Sequence, residues 1–240
     1  MAFEPFMQIL RGIQGKRSNV GIGDVQNAQQ MAFLRNLQKE KKKDDTLEVP
    51  LDALVVVVFD IETTGFKPEQ GDEIISIGAI KMCGSTILDD DIFYSLINTG
   101  KEIPTDVVNL TGITNEKLKE ARLVGEVLIE FLQFAKDCTL VAHHANHERN
   151  FLQYTSNRVF HTSFKQRIVD TSFLYKIAEP HIQLSSLEDL CEHNSIPVIG
   201  RHHALGDARM TAKLWSLYLE KVKILGCDTL QDVYDQFARI

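Results

Sequence analysis

Two carboxylates stand at the end of an apolar run in Phe59-Asp60-Ile61-Glu62-Thr63-Thr64-Gly65. Side chains on a strand alternate between faces, so Asp60 and Glu62 point to the same side where the sheet ends. Like charges at such range resist joint ionisation unless a cation compensates them, and hard oxygen ligands of this type suit Mg²⁺ or Mn²⁺. Two acids in an ordinary strand-end turn are the plain alternative; an all-apolar strand before the pair and Thr63-Thr64-Gly65 after it argue against that. Asp207 lies beside the apolar stripe of a long helix, near Thr211 and Leu214, where an acid without a partner is disfavoured and a bound metal would supply one. His143, His144 and His147 resemble a metal site by density, and His143 and His147 are four positions apart. They fall where a strand ends and a helix begins, without HExxH order, so zinc ligation is not favoured. His143 is expected to line the site or pack beneath it.

Those residues need elements to carry them. Val55 to Phe59 is a continuous β-branched and aromatic run, as a strand buried on both faces reads. Glu73 to Met82 and Asp91 to Asn98, joined around Gly84 and Ser85, complete an antiparallel meander. The period then switches: Val127, Leu128, Phe131, Phe134 and Ala135 mark a helix, Thr139 to Ala142 a short strand, Asn146 to Arg158 a helix and Ile168-Val169 a last short strand. Ser185-Ser186-Leu187-Glu188 fits a capping box before a helix to His193. Leu205, Ala208, Ala212, Trp215, Leu219 and Val222 then form one face of a long helix. The fold class is α/β: a mixed five-stranded sheet, three strands antiparallel and two parallel, flanked by helices.

The chain has 240 residues, 44% of them hydrophobic, which is enough for one large core. Residues 1–50 read as a mildly basic, partly helical extension with eight Lys or Arg against six Asp or Glu, and residues 51–240 as the catalytic domain. Lys39-Glu40-Lys41-Lys42-Lys43 in that extension is usually a solvated helix end and less often a partner contact. The longest apolar run, Leu54 to Phe59, is far short of a bilayer span, and the N-terminus lacks the order of a signal peptide. A cytoplasmic protein without a membrane partner is therefore expected. Cys83, Cys138, Cys191 and Cys227 form no CxxC pair, so neither a zinc ribbon nor a disulfide framework is suggested. The net charge of −7 opposes a DNA-coating role, but a site for two divalent cations gathers carboxylates by design.

The string from Phe59 to Gly65 resembles the first motif of the DEDDh 3′→5′ exonuclease family, the group that includes proofreading subunits resembling the epsilon subunit of bacterial DNA polymerase III. The third motif of that family, a His followed five positions later by Asp, is matched by His202 and Asp207, whereas His203 lacks the offset. Leu140 to Leu152 resembles the second motif, a strand running into a helix that carries an acid. Asp170-Thr171-Ser172-Phe173 and Leu184 to Cys191 resemble its spacer, and Leu110-Thr111-Gly112-Ile113-Thr114 its substrate-side loop. One departure is plain: Glu148 stands where the family has Asp, and His147 where it has Phe. An extra methylene moves the carboxylate by about 1.5 Å, which a water-bridged ligand tolerates. A first-turn Glu is also a routine partner of the helix dipole.

The resemblance implies a ribonuclease H-like fold and a site in which Asp60, Glu62, Glu148 and Asp207 hold two divalent cations, Mg²⁺ or Mn²⁺, with His202 as general base. It implies hydrolysis from the 3′ end of a single strand with release of nucleoside 5′-monophosphates, DNA being favoured over RNA, and a DNA polymerase as an associated partner. Substrate contacts are expected from Ile61, Thr63, Thr64, Gly65, Leu110, Thr111 and His143, with close backbone approach to the terminal nucleotide at Gly65. Two alternatives stay open: an RNA-directed enzyme of the same family, and a low-activity nucleic-acid-binding protein in which Glu148 has cost the rate.

Overall fold

The computed structural model describes residues 45–240; the helix expected between Asp24 and Lys43 lies outside them. β1 (Val55–Thr63), β2 (Ile74–Cys83) and β3 (Thr86–Asn98) form the meander. Two short helices, α1 (Thr105–Thr111) and α2 (Asn115–Lys119), lead through β4 (Arg122–Leu123) into α3 (Val124–Phe134). β5 (Thr139–Ala142), α4 (Asn146–Phe160), β6 (Ile168–Asp170) and α5 (Ser172–Ala178) follow, then α6 (Leu187–His193), α7 (Ala204–Ile224) and α8 (Leu230–Phe237). The sheet order is β4-β3-β2-β1-β5-β6, with β5 parallel to β1 and β6 parallel to β5.

The sheet has six strands rather than five. The extra one, β4, is two residues pairing with Ile97 and Asn98, too short for any alternation to show. β3 also begins at Thr86 instead of near Asp91, because Asp89-Asp90-Asp91 falls where the register jumps from Ile80↔Ile92 to Lys81↔Leu88. Acids in a bulge read as a loop, and there they also discourage edge pairing.

Alternation along β1 divides the core. Val56 and Val58 face one layer, with Val141, Val169, Leu190, Trp215 and Leu219. Val57, Phe59 and Ile61 face the other, with Phe131, Leu140, Phe151 and Leu152; the rings of Phe59 and Phe131 lie 5.3 Å apart. Asp60 and Glu62 continue the Val56 and Val58 series, so they project into the layer that contains α7. At the N-terminal edge of the described chain, Leu47 and Val49 pack on this same layer and Pro50 bridges to Thr229.

α7 lands on the sheet at an unusually small distance. A side chain on Gly78 would lie 2.1 Å from the backbone nitrogen of Leu205, and Gly78 is the residue paired with Asp60. Glycine there lets the first turn of α7 touch β2, which brings Asp207 over β1. The contact also shifts the buried face of the helix: Ala204 is buried and Leu205 only half-buried.

Candidate active site

β1 outruns its parallel neighbour. Pairing with β5 covers Val56 to Val58, while Asp60 and Glu62 keep only β2 beside them, opposite Gly78 and Ser76. Beyond Ala142 the chain leaves β5 and turns into α4, so a crevice opens at the carboxyl ends of the parallel strands, the usual ligand position in α/β sheets. Asp60, Glu62 and Asp207 each offer an oxygen there, and these atoms lie within 4.8 Å of one another.

Glu148, in the first turn of α4, is 4% exposed and Asp207 only 3%. Among the described residues, Glu148 Oε2 and Asp207 Oδ1 are buried without a hydrogen-bond partner. Burial, more than any neighbour, raises the pKa of Asp60 far above the usual carboxylate range, and Glu148, Asp207 and Glu62 add to it. Burial followed by the charge of Asp207 pushes Glu62 up to about 7, and burial followed by Asp170 and Glu62 pushes Glu148 up to about 8. Asp207 is raised by burial against the opposing charge of Arg201. An all-oxygen donor set with orphaned buried oxygens and mutual repulsion fits a hard divalent cation well.

His202 occupies the loop just before α7 with φ of 61°, a left-handed conformation uncommon outside glycine. Its backbone N–H donates to Asp207 Oδ2 at 3.3 Å. His203 is engaged elsewhere, stacked on Tyr94 at 4.6 Å and 21°, and its carbonyl accepts from the Asp207 N–H at 2.9 Å. The His202 backbone thus touches the Asp207 carboxylate, and the His203 backbone the Asp207 amide.

The positioning of Glu148 depends on Asp170. One oxygen of Asp170 accepts the Ala145 N–H and the other the Ser172 N–H, both at 2.8 Å, which clamps the start of α4 to the end of β6. Arg158 pairs with buried Glu73 and ties the far end of α4 to the beginning of β2. Asp170 falls in a segment matched only as spacer, although an acid closing a short apolar strand was a signal. Arg201, immediately before His202, was also passed over; its guanidinium pairs with Asp207 Oδ2.

The expected substrate residues take the following places. His143 is buried, with Nδ1 2.8 Å from Thr171 Oγ1 and Nε2 2.7 Å from the Ser185 carbonyl. Burial, with help from His144, lowers its pKa to about 4, so it supports the site from beneath as a neutral ring. Ser185 therefore does not cap α6; Ser186 does, accepting from the Asp189 N–H at 3.1 Å. Ile61 points into the core, leaving only its backbone available. The Gly65 position is filled from within: a side chain there would meet the Asp72 carboxylate at 2.4 Å, and Asp72 is held by the Lys67 N–H at 2.8 Å. Thr63 donates to the Gly65 carbonyl at 2.6 Å and lies 3.5 Å from His147 Nε2. Thr64 accepts from the Glu73 N–H at 2.9 Å. Leu110 and Thr111 form the last turn of α1 rather than a loop, with Leu110 exposed and the Thr111 hydroxyl donating to Val107. No disulfide joins the four cysteines, and among the described residues no helix is long and apolar enough to cross a membrane.

A mixed sheet with two carboxylates at the end of its central strand β1 and two more on helix starts beside it defines a nuclease domain of the ribonuclease H-like class. Residues 57–215 match the exonuclease family model RNase_T, and the chain belongs to that family. It is 37% identical over 177 residues to a PolC-type DNA polymerase III of Thermotoga maritima, covering 74% of this chain and 13% of the relative. It is 34% identical over 194 residues to a DNA polymerase III subunit epsilon-like protein of Rhodobacter capsulatus (80% of this chain, 27% of the relative). The third relative, the 3′-5′ exonuclease DinG of Staphylococcus epidermidis, is 36% identical over 178 residues (74% and 19%). The match thus spans a quarter or less of most of these longer proteins. Similar folds include the nuclease domain of 3′hExo, a DEDDh family member bound to rAMP (TM-score 0.62, 19% identity, 73% of this chain and 94% of that one). Exonuclease X in complex with 5′ overhanging duplex DNA is another (TM-score 0.57, 20% identity, 76% and 99%).

Proposed function

We propose that this chain is a 3′→5′ exonuclease that removes nucleoside 5′-monophosphates from single-stranded DNA ends, with Asp60, Glu62, Glu148 and Asp207 holding two divalent cations and His202 as general base. One observation carries the reading: the oxygens of Asp60, Glu62 and Asp207 crowd within 4.8 Å while Glu148 Oε2 and Asp207 Oδ1 lie buried and unpartnered beside them. Acids left so are costly unless cations join them.

When bound, Mg²⁺ or Mn²⁺ would supply an acidified water and charge stabilisation at the phosphoryl group. His202, beside Asp207 at the mouth of the crevice, takes the proton of the attacking water. Asp170 keeps the Glu148 turn in place, and the Tyr94–His203 stack keeps the His202 loop against β3. Phosphate and sugar are read rather than base edges, so sequence preference is weak. DNA is favoured over RNA because two of the three relatives named above, one of them 37% identical, are DNA polymerase III proteins; association with a polymerase follows from the same names.

The test is an end-labelled single strand, as DNA and as RNA, incubated with the purified chain and Mg²⁺ or Mn²⁺, with chelator as control. Shortening from the 3′ end that needs metal, is faster on DNA and disappears in Asp60→Ala is expected. Faster turnover of RNA would replace the DNA reading. Inactivity in both metals, cured by Glu148→Asp, would replace the enzyme by a low-activity binding protein.

A further inference from the structure

Arg201 sets against this cluster of acids a positive side chain that the family motifs do not account for. Its guanidinium pairs with Asp207 Oδ2, the oxygen that also accepts the His202 N–H. The other oxygen, Oδ1, is buried and has no partner among the described residues. Asp207 is therefore divided, one oxygen held by its own loop and one left to the cluster. The arginine bears on more than this pair, since Asp207 is one of the three acids whose oxygens lie within 4.8 Å of one another. It is built into place: Gly200 and His202, on either side, have φ of 73° and 61°. The turn they make folds Arg201 back onto the first turn of α7. Yet among the described residues its buried Nε has no partner, so the fork is only partly satisfied.

Resting on the carboxylate-site reading above, we infer that Arg201 is an internal counter-cation that stabilises the metal-free site and competes with divalent cations for the same carboxylates. A single positive charge beside the Asp60, Glu62 and Asp207 cluster lowers the repulsion that the fold must bear without metal. It also repels an arriving dication; with water-like screening at about 6 Å the Coulomb energy is equivalent to about a tenfold change in affinity, and weaker screening makes the change larger. Metal occupancy would then be set near the ambient concentration instead of being permanent.

Mn²⁺ binding to the full chain, followed by the electron paramagnetic resonance signal of free Mn²⁺, tests this alongside thermal unfolding. Arg201→Gln is expected to bind Mn²⁺ about tenfold more tightly, to melt earlier without metal and to gain more from Mn²⁺ than the wild type. Arg201→Lys, which keeps the charge and loses the fork, should bind Mn²⁺ as the wild type does. Unchanged or weaker binding in Arg201→Gln would overturn the inference and make the arginine a simple clamp on Asp207. Tighter binding in Arg201→Lys equal to that of Arg201→Gln would overturn it too, since charge would not be the cause. Asp60→Ala separates the two levels: loss of Mn²⁺ binding there supports the carboxylate site whatever Arg201 does, and undiminished binding overturns both.

Discussion

The carboxylate site has two halves of different construction. Asp60 and Glu62 belong to a strand hydrogen-bonded to β2 and anchored by apolar residues on both faces. The pleat alone sets their separation. Asp207, Glu148 and His202 sit on helix starts and a loop, held by a backbone contact at Gly78, the Asp170 clamp and a left-handed residue. The first half is rigid because it lies within one element. The second is a set of junctions, each of which can fail independently, and Glu148 is the member outside the triad of crowded oxygens.

Substitutions should separate the halves. Asp60→Asn is expected to lower turnover by about 10³-fold or more, roughly 4 kcal/mol of barrier, whereas Glu148→Gln should lower it by only about tenfold. Equal losses in steady-state kinetics would erase the distinction. His202→Gln should cost about 10²-fold in turnover and flatten the acidic limb of the pH–rate profile, as loss of a general base does; an unchanged limb would return the choice to His203.

Gly78→Val attacks the junction while leaving the β1 pair in place. Its Cβ would collide with backbone that cannot rotate away, so urea melts should show a loss of about 2 kcal/mol and Mn²⁺ should stabilise the variant less than the wild type. A separate effect concerns pH. Glu62 and Glu148 have folded pKa values of about 7 and about 8 against an ordinary 4.5, so the metal-free fold binds more protons than the unfolded chain between those limits. Its stability should therefore fall as pH rises from about 4.5 through 8. Melting temperatures that climb over this window in chelator would contradict the assigned burial of the two acids.

Much of this arrangement could be read from residue order. The β1 run, the meander and the apolar face of α7 announced themselves through periodicity, because burial selects side chains at the repeat of the element. Asp60 and Glu62 were legible for the same reason, being two steps apart on one strand. Other features left weaker traces. β4 is too short to have a pattern, the start of β3 hides behind three acids, and Ser186 rather than Ser185 caps its helix, while the Ser185 carbonyl faces His143 and His144. Arg201 carried no local signal stronger than its charge, and Asp170 only its place at the end of a short apolar strand.

Linear order therefore settled which acids and which histidine to consider, together with the elements that bear them, since motif spacing and period are local properties. Packing alone decided that Asp207 lies over Asp60 by way of a bare glycine, that His143 is a buried support and that Asp72 fills the space at Gly65. It also decided that an arginine already neutralises part of the cluster. Those outcomes depend on which surfaces meet when α7 settles on β2 and α4 turns off β5, and contacts between distant segments have no period along the chain.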